Sequence, residues 1–216
     1  PVHTDAVQSF GKVEFNFSKL EVTAATISAH KIGGPLGVAA LVLKRGLDLT
    51  PVLHGGGQER EIRSGTLNAP SIVAFTAAAE YAIANMASNF AKIRELRDYF
   101  IAGLKKSVPD VSINSVSDPA LPGIVNATFP GTESDALLLL LDTEGISASA
   151  GSACSAGVPR PSHVLVALGL SESDADASLR ISIGTTNTKS EIDQVLAVMP
   201  SVVERARNAF VVSELN

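Results

Sequence analysis

The chain has 216 residues, 45% hydrophobic and 18% charged, with a formal charge of -5 at pH 7. That composition fits a globular chain of one large or two small domains, and the acidic balance argues against nucleic acid as a main partner. No apolar run reaches the ~18 residues that span a bilayer, the first residues lack the order of a signal peptide, and one cysteine, Cys154, permits no internal disulfide, which fits a reducing, cytoplasmic setting.

Residues 1–5 read as the interior of a strand and lack an initial Met, so the expectation is a portion of a longer chain. Residues 24–27 and 38–43 read as buried strands, with Gly33-Gly34-Pro35 supplying turn chemistry between them. The pattern then turns helical. Pro70 stands near a helix start, where its missing N–H costs little, and Ile72, Phe75, Ala79 and Ala82 follow at helical spacing. A second helix is expected over 88–106, with Phe90, Ile93, Leu96, Phe100, Ile101 and Leu104 inward.

Strands follow near 111–114 and 124–129, then a leucine-rich helix over 133–141 and a strand over 146–149 leading to Cys154. Residues 161–168 and 172–177 read as short helices. Residues 179–183 alternate as a strand, with Leu179, Ile181 and Ile183 on one face and Arg180 on the other. Thr188-Lys189-Ser190-Glu191 has the form of a capping box opening a final helix to about residue 213. The second half is thus a small α+β unit.

Five clusters carry chemistry. In Ser28-Ala29-His30-Lys31 a lysine leaves an apolar strand, where partial desolvation makes an amine nucleophilic. Ser28 and His30 are the right types to hold a phosphate beside it; the alternative is a surface lysine at a strand end. Asp5 can pair with a protonated pyridine nitrogen, and Gln8 can hydrogen-bond a phenolic oxygen, although Asp and Gln are also ordinary turn residues. Residues 54–68 combine three successive glycines with Arg60, Arg63, Ser64 and Thr66, donors suited to a phosphate or carboxylate, the alternative being a plain solvent loop. Arg180 can hold a carboxylate bidentately or simply face solvent. Cys154 lies among glycines, serines and alanines at 149–157, with little bulk to bury it: either an idle loop thiol or one meant to be reached.

In this order and spacing, Thr4-Asp5-Ala6-Val7-Gln8, Ser28-Ala29-His30-Lys31, residues 54–66, residues 149–155 and the Arg180 strand resemble the NifS/IscS-like cysteine desulfurases of the class-V aminotransferase family. The resemblance implies fold type I of the pyridoxal-phosphate (PLP) transferases: an α/β chain, with part of a mostly parallel large PLP domain over 1–86 and a small α+β domain over 87–216 carrying the cysteine loop. It implies that Lys31 binds PLP covalently, that Asp5, Gln8, Ser28 and His30 hold it, and that Thr66 reaches the phosphate in a neighbouring subunit of a homodimer. Arg180 then clamps the substrate carboxylate, and Cys154 takes sulfur from L-cysteine as a persulfide, leaving L-alanine. A sulfur-acceptor or iron–sulfur scaffold protein is the implied partner.

The sequence departs from the family at three places. Glu61 stands where the family often has glycine, Ser155 follows the cysteine, and family chains are roughly twice as long. The absent half should supply a histidine stacked on the ring, further phosphate contacts and much of the sheet, so residues 1–86 are expected to be incompletely supported and 87–216 to fold alone. Three other readings compete: a selenocysteine lyase, a catalytically inactive fragment that dimerises or docks a scaffold, and a simple thiol carrier using Cys154.

Overall fold

Three strands make the first sheet: β1 (His3–Asp5), β2 (Ala24–Ser28) and β3 (Ala39–Leu43), in that spatial order. The computed structural model describes residues 1–115, 120–150 and 161–214, which fall into two units, Pro1–Phe90 and Ala91–Asn216. β1 runs parallel to β2, with Asp5 opposite Thr26, and β3 runs antiparallel, with Ala39 opposite Ser28. Four of the five β2 residues are buried, all but Thr26, as a central strand of small and branched residues requires.

The helix α1 (Ala69–Ala84) starts where Asn68 accepts a hydrogen bond from the Ser71 amide and Pro70 fills the first turn. It sends Phe75 into a cluster with Ala6, Ile27 and Ala29. Phe10 meets Phe75 and Phe15 edge-on, at centroid distances of 6.3 and 5.8 Å. A Cβ on Gly34 would lie 2.9 Å from the Ala29 Cβ and 3.2 Å from that of Ala78, so only glycine lets the turn after β2 close this tightly. Ile72, one turn before Phe75, is 41% exposed and stands outside that cluster. Val73, Tyr81 and Ile83 on the same helix are exposed as well.

The helix α2 (Met86–Ser107), most of which belongs to the second unit, buries Leu96, Phe100 and Leu104. They face a sheet of β4 (Ser112–Ile113), β5 (Ile124–Thr128), β6 (Ser149–Ala150) and β7 (Ser178–Ser182), all antiparallel, in the order β4-β5-β7-β6. The leucine-rich helix α3 (Ser134–Thr143) buries Leu137 and Leu141 and leaves Leu139 outward, as helical spacing dictates. Two short helices, α4 (His163–Ala167) and α5 (Glu172–Asp176), precede β7, and α6 (Lys189–Glu214) closes the core with Ile192, Met199, Val202 and Val203.

The strand expected at 146–149 starts later. The Ile146 amide bonds the Leu141 carbonyl at 2.9 Å to finish α3, so it cannot join a ladder, and pairing begins at Ser149. The capping box is formed as read. Thr188 N–H donates to Glu191 Oε2 at 2.7 Å, and Glu191 N–H donates to Thr188 Oγ1 at 3.3 Å.

The Thr188 amide, ahead of the Asn187 side chain, holds the Glu191 carboxyl below its ordinary pKa. A depressed acid stabilises the fold above its unfolded-state pKa and loses that contribution as pH falls through the lower folded value. Glu191→Gln, which removes the titrating carboxyl, should therefore destabilise the chain at neutral pH. Its gap to wild type should close in acid denaturation curves as the wild-type Glu191 protonates.

Candidate functional site

Because β1 and β2 are parallel, their carboxyl ends share one rim of the sheet. Asp5 ends β1 and Ser28 ends β2. The turns beyond them carry Gln8 on one side and His30 with Lys31 on the other. The crevice outside the carboxyl ends of such strands is where open α/β sheets bind ligands.

Each turn follows from local bonds. Asp5 Oδ1 accepts the Val7 amide at 2.9 Å, a side-chain-closed turn that ends β1. The chain then coils, with Phe10 N–H bonding Ala6 O at 2.9 Å and Val13 N–H bonding Ser9 O at 3.1 Å. After β2 a short 3-10 turn, Ala29–Ile32, buries Ala29 and lifts His30 and Lys31 outward. Ser28 is 7% exposed, and its Oγ lies 2.8 Å from His30 Nδ1, so the two side chains are already paired.

Lys31 differs from expectation. It is exposed, because the turn carries it past the buried strand end. The desolvated amine of this rim is Lys12, which sequence reasoning missed. Burial first, and the Lys31 charge second, push the Lys12 ammonium below its ordinary pKa. Lys12 Nζ donates to Gln8 Oε1 at 2.9 Å. The spacing of four between Gln8 and Lys12 in a coiled turn is the signal that could have found it.

Thr66 sits on a separate arch over 54–68, exposed, and among the described residues no hydrogen bond ties it to the rim. The arch is pinned internally. Gly65 N–H donates to Gln58 Oε1 at 2.9 Å, and Gly57 N–H donates to the Oγ of buried Ser64 at 3.3 Å. At its tip Glu59, Arg60 and Glu61 all have left-handed backbones, with φ of +50°, +57° and +63°. The Glu61 position, where a glycine would be at ease, is thus a left-handed one.

Arg180 belongs to the second unit, half-buried on β7 between Asn126 and Ser149. Its neighbours Leu179 and Ile183 enter the core, which sets Arg180 on the opposite face. Among the described residues no carboxylate pairs with it. Cys154 lies outside the described residues. A hollow of about 400 Å³ in the second unit is lined by Glu133, Asp135, Pro161, Glu172, Ser173 and Asp176, none of them expected from sequence. Burial, and then Asp135, push the Asp176 carboxyl above its ordinary pKa. Among the described residues no His, Cys, Asp and Glu group has a metal-binding arrangement.

A parallel-strand rim bearing an amine, a carboxylate and hydroxyl and imidazole groups is the kind of edge at which α/β sheets bind ligands. The aminotransferase class-V family model matches residues 1–195, and the chain belongs to that family. It is 45% identical over 210 residues to an IscS-like cysteine desulfurase of Mycobacterium tuberculosis, a match taking in 97% of this chain and 53% of that protein. It is 42% identical over 206 residues to a cysteine desulfurase IscS of Methanosarcina thermophila, covering 95% and 51%. The X-ray structure of a NifS-like protein from Rickettsia africae superposes with a TM-score of 0.83 at 37% identity, over 94% of this chain and 53% of that one. The fold is therefore part of the type I architecture. The chain spans about half the length of the curated relatives it matches.

An L-residue in the left-handed region costs roughly 1–2 kcal/mol, and glycine avoids most of that at a smaller entropic cost. Glu61→Gly should stabilise the arch by roughly 0.5–1 kcal/mol. Amide hydrogen exchange at Gly65, whose N–H is held by Gln58, should slow accordingly; unchanged or faster exchange contradicts this account.

Proposed function

We propose that this chain carries the PLP-binding rim, the carboxylate clamp and the sulfur-accepting cysteine of a cysteine desulfurase. The observation that carries the reading is the gathering of Asp5, Gln8, Ser28, His30 and Lys31 at one rim of parallel β1 and β2 in a class-V aminotransferase chain. The curated relatives' names, cysteine desulfurase, support the reaction.

The donor set fits the cofactor. The Lys31 amine suits its aldehyde, the Asp5 carboxylate its ring nitrogen, the Gln8 amide its phenolic oxygen, and the paired Ser28 and His30 its phosphate. Bound there, PLP supplies a ring that draws electrons from the bonds around an amino acid's α-carbon. Thr66 would add a phosphate contact from the neighbouring subunit of a homodimer, its arch holding the hydroxyl outward.

The chain's own residues do the rest. Arg180 offers two parallel N–H donors to the substrate α-carboxylate and so would hold the substrate in one orientation. Lys31 Nζ takes and returns protons at the substrate carbons. The Cys154 thiolate attacks the substrate sulfur; the Cβ–S bond breaks, an S–S bond forms on Cys154, and Cβ gains a proton. Cysteine plus thiol gives alanine plus persulfide, so atoms and electrons balance without an added oxidant. The small residues around Cys154 suit a sulfur that must then meet an acceptor protein, the partner in this reading.

The test begins with the chain as purified and PLP. Borohydride reduction should fix PLP on the peptide bearing Lys31, and Lys31→Ala should abolish the label. With L-cysteine, alanine should form and Cys154 should become one sulfur atom heavier by mass spectrometry. Lys31→Ala should slow alanine release by roughly 10²–10⁴-fold, and Cys154→Ser should remove the persulfide. PLP bound without alanine formation supports the inactive docking or dimerisation fragment instead, and no PLP on Lys31 overturns the reading.

A further inference from the structure

The turn after β1 holds a second lysine whose place the proposed reaction does not explain. Residues 6–13 coil with helix-like bonds, which puts Gln8 and Lys12 four apart on one side. The coil is pressed against its surroundings at Gly11, which has φ +73°. A Cβ there would lie 3.0 Å from the Ala82 Cβ and 3.0 Å from Ile32 Cγ2, the residue next to Lys31. This close seat half-buries Lys12 at the same rim as Lys31. The lowered pKa of Lys12, caused in part by Lys31, agrees with that nearness.

The Lys12 Nζ to Gln8 Oε1 bond, at 2.9 Å, does more than tie two side chains together. A glutamine amide can present either its oxygen or its NH2 to a ligand, and swapping the two is a simple flip. An ammonium has donors only. Paired with Lys12, the amide must turn its oxygen to the lysine, which leaves Nε2 with two N–H donors as its free end. Among the described residues those donors meet no acceptor.

We propose that Lys12 is a positioning residue that fixes the Gln8 amide, so that the group offered at the rim is a donor for an anionic ring oxygen. The inference rests on the reading that this rim takes PLP. It adds a role for Lys12 to that reading: without Lys12, Gln8 would offer its acceptor to that oxygen for part of the time and repel it.

The test is a double-mutant cycle on the full chain, with PLP as the probe and its dissociation constant as the first readout. Lys12→Met should weaken PLP roughly five- to tenfold. Gln8→Ala should weaken it about as much, and the double variant no more than either single one. Lys12→Arg, which keeps a donor-only cation, should restore binding. Multiplied effects in the double variant, or no effect of Lys12→Met, overturn the proposal.

The second readout needs no cofactor. In 15N–1H spectra of the free chain, the Gln8 side-chain NH2 should give one pair of signals. Lys12→Met should move both signals of the pair toward those of an untethered glutamine amide, because a flip about Cγ–Cδ averages two environments, and Lys12→Arg should restore them. If Lys12→Met does not fold, Lys12→Gln replaces it, because its amide can both donate and accept and so should let Gln8 flip. Unchanged Gln8 signals in a folded variant overturn the proposal. A wild-type chain that binds no PLP, or whose binding ignores Lys31→Ala, is a failure of the PLP reading. The Gln8 signals then still decide whether Lys12 sets the amide.

Discussion

Parallel pairing of β1 with β2 is the constraint from which the candidate site follows. Had the two strands run antiparallel, Asp5 and Ser28 would end at opposite edges, and no single ligand could touch both. The parallel register needs a connection that returns the chain to the starting edge of the sheet, and residues 6–23 supply it. That connection is functional material too. Its first half is the coil that bears Gln8 and Lys12, and Phe10 anchors it on Phe75, with Phe15 edge-on to Phe10. A segment that topology requires is therefore also the segment that lines the rim.

The rim separates two properties often assigned to one lysine. Lys31 is accessible, and Lys12 is the desolvated one. Accessibility leaves Lys31 open to solvent at the rim, whereas burial holds Lys12 against Gln8. The division is produced by turn geometry. The 3-10 turn after β2 ends in exposed residues, while the coil after β1 is packed down at Gly11.

Much of this was legible in the sequence, for identifiable reasons. The strong periods at 72–82, 90–104 and 179–183 became α1, α2 and β7, and Thr188 with Glu191 formed the capping box their types announce. The strand at 146–149 was placed early because apolar alternation says nothing about an amide already used to close a helix. Lys31 read as desolvated because an apolar strand precedes it, yet exposure is decided by a turn whose direction the sequence does not encode. Lys12 was missed because its four-residue spacing from Gln8 carries meaning only once the turn after β1 is known to coil. The left-handed backbone of Glu61 also depends on an arch pinned by Gln58 and Ser64 across the loop, contacts that no local spacing displays.

The two sheets also differ in the loops they must close. β1 and β2 meet across about twenty residues of chain, as in the Val2 amide bonded to Thr23. The central ladder of the second unit joins β5 to β7 across fifty residues, as Thr128 with Ser178. Each doubling of loop length adds about 0.6 kcal/mol of closure entropy, and non-local pairings slow folding further. On that ground the rim of Asp5 and Lys31 assembles early from short closures. Arg180, set between Asn126 and Ser149 in the long-closure ladder, reaches its place late. A nascent chain would therefore order the carboxyl ends of β1 and β2 before it completes the ladder that bears Arg180.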